Sequence, residues 1–542
     1  MTSEGGRETR VRYRFSPLER RGMIAGWRGG QIAAVALGLV IGVLSIRSRP
    51  SVAGVALALV GLAAGVALAF WPIQGRTGEQ WLPLVARWLW SASTGSRRQL
   101  APGPGEGRRA RVGGSGAGPA VGEVGLGEGG GGGGWHPAPV FGGLEVSRVP
   151  FGPEGSDGDL GMVVDTRART ATAVLVVRGH SFALLGGRDQ DARIAGWARV
   201  LSSLSREGSG VHRIQWIETC LPDDGGAVRR HLAGHAVVDR DSPAARSYRA
   251  LVDEAAPVTR RHQVLMALSI RTVRSNRTGR RAGADAGGAG GIGGALSREV
   301  LALHRALEAA DIAVEGVLGP GALSRVIGER SAALADAVGR ADPAGEVGRA
   351  APPDPVGGAE PGSYTPDDDR PSRWPWPMAV EPVWDAVHTD ATWHATYWVA
   401  EWPRVDVTPD FLGPLLFSPV RRSLSVVMEP ISPSRAARQV AQARTADLAD
   451  GELRRRGGFL VTARQSREKR SVEERDVELA DGHAQFRFTG YITVTTDTRT
   501  ELPAARAAVE QAAGQAGMEL RLLFGAQDAG FACSLPLGRG LS

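Results

Sequence analysis

His231 and His235 stand one helical turn apart, the spacing at which two imidazoles on one face can share a metal ion. The residues between them, Leu232-Ala233-Gly234, lack the glutamate of an HExxH site, and Gly234 weakens the helix that would present the pair. Asp367-Asp368-Asp369 lies in a stretch rich in proline and glycine, where solvated charge is a simpler reading than a cation site. His180-Ser181 and Cys220 have no nucleophile and base set beside them in the chain, which leaves open only a triad assembled from distant segments. Lys469 is the only lysine, and Arg467-Glu468-Lys469-Arg470 has no glycine for a GxxxxGK[ST] phosphate cradle. Gly114-Ser115-Gly116 imitates a phosphate loop, but no apolar strand precedes it. The expectation is a chain without cofactor, metal or enzymatic site.

The strongest signal is physical rather than catalytic. Two uninterrupted apolar runs, Gly29 to Ile46 and Val52 to Trp71, are 18 and 20 residues long. At about 1.5 Å per residue each spans about 27–30 Å, the hydrocarbon thickness of a bilayer. Only Arg47-Ser48-Arg49-Pro50-Ser51 separates them, which predicts a transmembrane helical hairpin over 29–71 with both ends on one side. A cleaved signal peptide would be followed by small residues, whereas Arg47 and Arg49 follow the first run. Neither run has a polar face, as a soluble core helix would.

Seven arginines from Arg7 to Arg28 precede the hairpin, and Arg76, Arg87, Arg97 and Arg98 follow it, so the positive-inside rule puts both termini in the cytoplasm. Two cysteines, Cys220 and Cys533, with no CxxC spacing, agree with a reducing compartment. Residues 1–98 hold thirteen arginines and four acids, a net +9, against +7 for the whole chain, so residues 99–542 carry −2. A nucleic-acid-binding domain would concentrate positive charge on its folded body. Here it lies beside the bilayer, where each arginine gains about 1 kcal/mol from anionic lipid. Lipid is the expected partner, and direct nucleic-acid binding is not expected.

After the basic N-terminus (1–28) and the hairpin, Pro72 and Gly75 stop the second helix, and residues 72–96 read as a segment lying in the headgroup layer. Trp27, Arg28, Trp71, Arg76, Trp81, Trp88 and Trp90 are the expected membrane-interface residues. Residues 97–134 have no hydrophobic period and end in a glycine run, which predicts a flexible tether spanning roughly 35 Å and letting the body sit away from the membrane.

The body alternates strand-like and helix-like segments. In 135–340, a hairpin is predicted from Ala171–Val177 and Ser181–Leu185, a helix at Asp189–Ser205 and a strand at Val211–Glu218. A helix at Ser242–Ala255, a strand at His262–Ile270, a helix at Leu296–Ala310, a strand at Ile312–Val317 and a helix at Gly321–Val338 follow. Residues 341–378 read as a disordered connector. In 379–542 the order recurs: strand Thr392–Glu401, helix Pro409–Leu416, strands Ser423–Met428 and Gln485–Thr496, helix Leu502–Ala516, strand Glu519–Leu523. Ser434–Leu448 and Ser466–Leu479 would form a charged helical hairpin within an insertion at 434–480. The expected fold is membrane-anchored α+β, with two ferredoxin-like βαββαβ modules, a helical insertion and disordered linkers.

The two-helix start with its Gly75-Arg76-Thr77 and Trp81 turn resembles the PrgI-type inner-membrane subunit of type IV secretion and conjugation machines. The body resembles the non-catalytic N-terminal domain of their TraC/TraE-type ATPase, an arrangement of actinobacterial type. The motifs are Trp398-Val399-Ala400-Glu401-Trp402-Pro403-Arg404, Val426-Val427-Met428-Glu429-Pro430, Gly490-Tyr491-Ile492-Thr493-Val494-Thr495 and Leu535-Pro536-Leu537-Gly538. In those ATPases a motor with a GxxxxGK[ST] loop follows; here the chain ends at Ser542. The resemblance implies a scaffold, not an enzyme, that docks a separate P-loop ATPase and other inner-membrane subunits as an oligomer. The alternatives are a membrane-tethered hydrolase with an unrecognised site and a membrane-bound nucleic-acid binder.

Overall fold

The computed structural model describes residues 29–48, 51–73, 76–93, 98–100, 138–152, 158–179, 182, 185–223, 226–235, 239, 241–255, 259–272, 291–331, 375–457 and 463–540. The basic N-terminus with Trp27 and Arg28, most of the tether and most of the 341–378 connector lie outside these residues.

Helices α1 (Gly29–Ser48) and α2 (Val52–Phe70) pack side by side, with the Ser51 side chain accepting from the Gly54 N–H at the start of α2. Both are long and apolar enough to cross a membrane. Their pattern is the inverse of a soluble core helix. Small residues face inward: Gly38 lies so close to α2 that an added Cβ would sit 2.9 Å from the Gly61 carbonyl, and one on Gly65 2.9 Å from that of Ala34. The leucines and valines face outward, and only 17% and 11% of the two apolar stretches is buried. Such small-residue contacts suit helices in lipid, where burying leucine against protein gains little over leaving it in acyl chain. Beyond α2, strands β1 (Pro72–Ile73) and β2 (Arg76–Thr77) make a two-residue ladder that turns the chain into α3 (Gly78–Ser93).

A thirteen-stranded, wholly antiparallel sheet dominates the rest. After the short β3 (Gln99–Leu100) and a 3₁₀ turn at Pro139–Phe141 come β4 (Leu144–Pro150), β5 (Asp159–Asp165), β6 (Thr170–Arg178), α4 (Gly187–Leu204), β7 (Val211–Pro222), α5 (Gly226–His235), α6 (Pro243–Ala255), β8 (Arg260–Arg271), α7 (Ile292–Ala309), β9 (Ala313–Val317) and α8 (Pro320–Ser331). A second series follows: β10 (Ala379–Pro382), β11 (Val387–Thr389), β12 (Thr392–Glu401), α9 (Gly413–Leu416), β13 (Arg422–Ile431), α10 (Pro433–Gly457), α11 (Ala463–Ala480), β14 (Gln485–Thr496), α12 (Leu502–Gln515), β15 (Glu519–Leu522) and α13 (Gln527–Ser534).

The two series correspond element for element. In the first, β6 pairs with β8 on one side and with β5 and then β9 on the other, while β7 flanks β8. In the second, β12 pairs with β14 on one side and with β11 and then β15 on the other, while β13 flanks β14. Even the register shift recurs, between Val176 and Val177 against β9 and between Val399 and Glu401 against β15. Each repeat inserts a helical pair between its second and third core strands, α5/α6 in one and α10/α11 in the other. The repeats then join edge to edge through β7 and β13, with Arg422 opposite Cys220 and Met428 opposite Ile214. The sheet is therefore continuous across two units that the sequence presents as separate modules.

Strand alternation sorts the core into two faces. Ile214, Leu268 and Leu175 meet α4 and α7 on one face, continued by Tyr397, Leu424 and Ile492 beneath α12. The other face packs Val174, Ile217 and Leu265 against α8, α13 and the C-terminal segment. One expected pairing is corrected. The partner of β6 is not Ser181–Leu185 but the upstream β5, closed by an Asx turn in which the Asp165 carboxylate accepts from the Arg167 and Ala168 N–H groups. Ser181 itself lies outside the described residues. The charged hairpin is longer than expected, and α10 and α11 meet through Val440, Ala443, Val472 and Leu479.

Candidate functional site

The helix pair and the sheet meet at α3. Its indoles at Trp81 and Trp88 point into the second repeat, where Trp81 stacks on Trp384 at 5.9 Å and Trp88 meets the same ring edge-on at 5.1 Å. Phe524 completes the cluster, 5.8 Å from Trp81 and 6.0 Å from Trp384. Such pairs add roughly 0.5–1.5 kcal/mol each beyond the area they bury. At 100° per residue, Leu82 and Leu89 lie about a quarter-turn around α3 from these indoles and Trp90 about opposite them, and all three are exposed, Trp90 at 73%. Trp71, at the end of α2, is 68% exposed, and Arg76 begins the β2 ladder opposite Ile73. The chain is tied to the body again just after α3: β3 pairs with β10, and the Gln99 side chain donates to Asp528 (3.2 Å) and accepts from the Val140 N–H (2.9 Å). The attachment thus precedes the glycine run instead of following it. The end of the 341–378 connector is also placed, with Trp376 buried against Phe141.

Beside this joint lies a cleft of about 380 Å³. Arg87 from α3, Arg167 from the β5–β6 turn and Arg539 from the C-terminal segment line it, with Asp528 and Cys533 on α13. Arg539 is already committed, to the buried Asp165 carboxylate at 2.8 Å and to the Val140 carbonyl, and Arg167 donates to the Pro139 carbonyl. Burial pushes the Cys533 thiol up to about 11, so it stays protonated at neutral pH.

The C-terminal segment crosses the seam between the repeats. Gln215, on β7, is fully buried and acts as its peg: Nε2 lies 2.9 Å from Ser425 Oγ and from the Cys533 and Leu535 carbonyls, while Oε1 accepts from the Gly538 N–H at 2.8 Å. Two amide hydrogens serve three acceptors, and the Ser425 hydroxyl also donates to the Cys533 carbonyl. Gly538 has φ +64°, and a Cβ there would meet Ser269 Oγ at 2.0 Å, so the Leu-Pro-Leu-Gly motif ends in the one residue that fits. Arg213 donates to the Gly538 carbonyl.

The residues singled out for chemistry are scattered. His231 and His235 stack at 4.4 Å on the exposed α5, and among the described residues no group of three or more His, Cys, Asp or Glu converges on a metal position. His180, Ser181 and Asp367-Asp368-Asp369 lie outside the described residues. Cys220 faces His262 across β7 and β8, and His262 Nδ1 lies 2.7 Å from Glu218, which resembles a nucleophile, base and orienter in outline. The thiol is fully buried, its pKa is raised by that burial, and it approaches the Ser418 carbonyl instead of the imidazole, so it is not an activated nucleophile. Trp384, Phe524 and Gln215 carry the joint and the seam, and sequence reasoning missed all three. Compared with known proteins, the chain matches no family model and no curated sequence.

Proposed function

We propose that this chain is a non-catalytic inner-membrane scaffold of a type IV secretion or conjugation-like machine. In this reading α1 and α2 span a bacterial plasma membrane with both termini in the cytoplasm. Each repeat is a ferredoxin-like module extended by a two-strand meander, and the platform docks a separate P-loop ATPase. One observation carries the reading: α3 is apolar on two sides, one covered by Trp384 and Phe524 and the other exposed through Leu82, Leu89 and Trp90. A helix so built suits a position between protein and headgroups, with Trp71 and Trp90 at the interface, Trp81 and Trp88 turned to the body, and the body held at a set height beneath the bilayer. The four family-like motifs support the same reading, because they fall at structural joints: the end of β12, β13 at the seam, β14, and the segment pegged by Gln215.

The test is co-purification. Full-length protein in mild detergent is expected to retain, through size exclusion, the P-loop ATPase encoded nearest its own gene. Elution of the two as separate folded species, at micromolar concentrations of each, overturns the docking role.

A further inference from the structure

On the face of the sheet that carries α8 and α13, a cavity of about 10 Å³ opens at the seam, room for one water-sized sphere. Its wall brings together α8 of the first repeat (Arg330), β7 (Thr219), β13 (Ser423) and β14 (Thr493, Thr495). Arg330 is the unusual member. It is buried, its Nη2 donates to Thr219 Oγ1 at 2.7 Å and its Nη1 to the Val326 carbonyl at 3.3 Å, and its Nε–H has no acceptor. Both acceptors are neutral, and among the described residues no carboxylate lies within ion-pairing distance. Burial lowers its pKa to about 10, which still leaves it a cation at neutral pH.

The other two arginines of this wall each have a carboxylate within ion-pairing distance, although the Arg422 guanidinium, like Arg330 Nε, lacks a hydrogen-bond acceptor. Arg421 pairs with Asp497 at 3.5 Å and donates to the Glu329 carbonyl. Arg422, one residue on, belongs by alternation to the opposite face, where Glu218 lies 3.5 Å away. The C-terminal dipole of α8 offsets part of the Arg330 charge. The remainder is a buried cation with no direct ion-pair partner among the described residues, the Glu329 carboxylate acting on it only from beyond contact, and a low-dielectric interior disfavours such a charge. The adjoining hydroxyls can turn their hydrogens inward: Thr219 Oγ1 already accepts from Arg330, which frees its proton, and Ser423 Oγ lies 3.4 Å from it.

We propose that this cavity is a halide site, holding one chloride ion between Arg330 and the hydroxyls of Thr219 and Ser423. A site of this size suits a single monatomic anion better than phosphate, a carboxylate or a sugar acid. Since its wall comes from both repeats, the ion fastens the seam.

The experiment uses the full-length chain in detergent and follows thermal unfolding at constant ionic strength while chloride replaces gluconate. The midpoint is expected to rise saturably with chloride, with bromide acting in its place. Arg330→Met removes the charge at similar volume. It is expected to abolish the halide dependence and, in gluconate, to melt at or above the wild-type temperature. A merely structural Arg330 predicts instead that the variant melts lower by the same amount in both salts. Crystals of the wild-type chain grown in bromide are expected to show an anomalous peak in the cavity. A halide-independent midpoint, or a cavity holding only water, overturns the proposal.

Discussion

Replacing Gln215 by leucine is expected to free the C-terminal segment from the seam. Leucine fills nearly the same volume, so the loss is one of hydrogen bonds and not of packing. The Gly538 N–H loses its acceptor inside the protein, a cost of about 1–3 kcal/mol for an orphaned buried donor. The Cys533 and Leu535 carbonyls each lose one bond but keep another, from Ser425 Oγ and from the Leu537 N–H respectively, which adds roughly 0.5 kcal/mol apiece. The sum is about 2–4 kcal/mol, or roughly a 30- to 700-fold larger open population at 1.4 kcal/mol per decade. Hydrogen exchange read by mass spectrometry on peptides covering residues 534–540 is the direct assay, because the Gly538 amide itself reports opening. Exchange in α12, which the peg does not touch, is expected to change far less. If the Gln215→Leu protein protects residues 534–540 as the wild type does, the seam does not depend on that peg and the reasoning fails.

Trp384→Ala removes the ring shared by Trp81, Trp88 and Phe524, at a cost of about 2–4 kcal/mol for this half-buried indole, and is expected to loosen α3. Faster limited trypsin cleavage at Arg97-Arg98 checks it, and an unchanged rate refutes it. Stability is also expected to fall in acid through His394. The ring is fully buried, with Nε2 against the Thr389 and Thr392 hydroxyls and Nδ1 against that of Thr495, and burial first, then Arg421, holds its pKa well below the usual value. The unfolded chain takes up this proton below about pH 6.5 and the folded chain does not, so stability is flat above that pH and declines beneath it by up to about 1.4 kcal/mol per unit. His212, lowered to about 4 by burial and by Arg213, adds with the same sign. Urea midpoints at pH 8, 6 and 5 are expected to fall in that order, and His394→Asn to fall less steeply; parallel curves would exclude His394 as a cause.

How much of this was legible in the chain follows from the range of the forces involved. β12 and β14 match their expected bounds because each is a long run of β-branched and aromatic residues with period-two alternation, a signal contained within ten or twelve residues. β5 was lost because Gly161 interrupts it. That glycine is required, since a Cβ there would sit 2.9 Å from the Gly319 carbonyl, but the reason lies 158 residues away in sequence. The α13 sequence Gln527-Asp528-Ala529-Gly530-Phe531-Ala532-Cys533-Ser534 has little helix propensity, and its burial against the sheet settles its form. Sequence alone puts the tryptophans of α3 at the membrane interface, a reasonable use of indole, but Trp81 and Trp88 pack on Trp384 and Phe524, some three hundred residues or more distant, while Trp90 stays exposed. No local pattern announces such a contact. The hairpin was legible throughout its length, because its signal is hydropathy alone, although the glycine and alanine stripe that joins its helices appears only once they are paired.

The element-by-element correspondence of the repeats has a consequence for how a partner could reach the platform. The repeats meet antiparallel through their second strands, so β7 runs out at Pro222 at one end of the sheet and β13 at Ile431 at the other. Each strand leads into its inserted helices, so α5/α6 and α10/α11 leave the sheet at opposite ends. The anchor occupies a third place, the lateral edge of the second repeat, where β3 pairs with β10 and Trp384 receives α3. An edge strand with unpaired N–H and C=O groups invites association with other chains, and tying the anchor there covers it. The two helical arms therefore need not compete with the membrane for space. In α10/α11 the arm is about 37 Å long at 1.5 Å per residue, with Glu207 of the first repeat accepting from the Ser434 N–H at its base. A scaffold that is pinned at one edge and reaches outward from both strand ends can hold a motor without unseating its own anchor, which is the division of labour the proposed function requires.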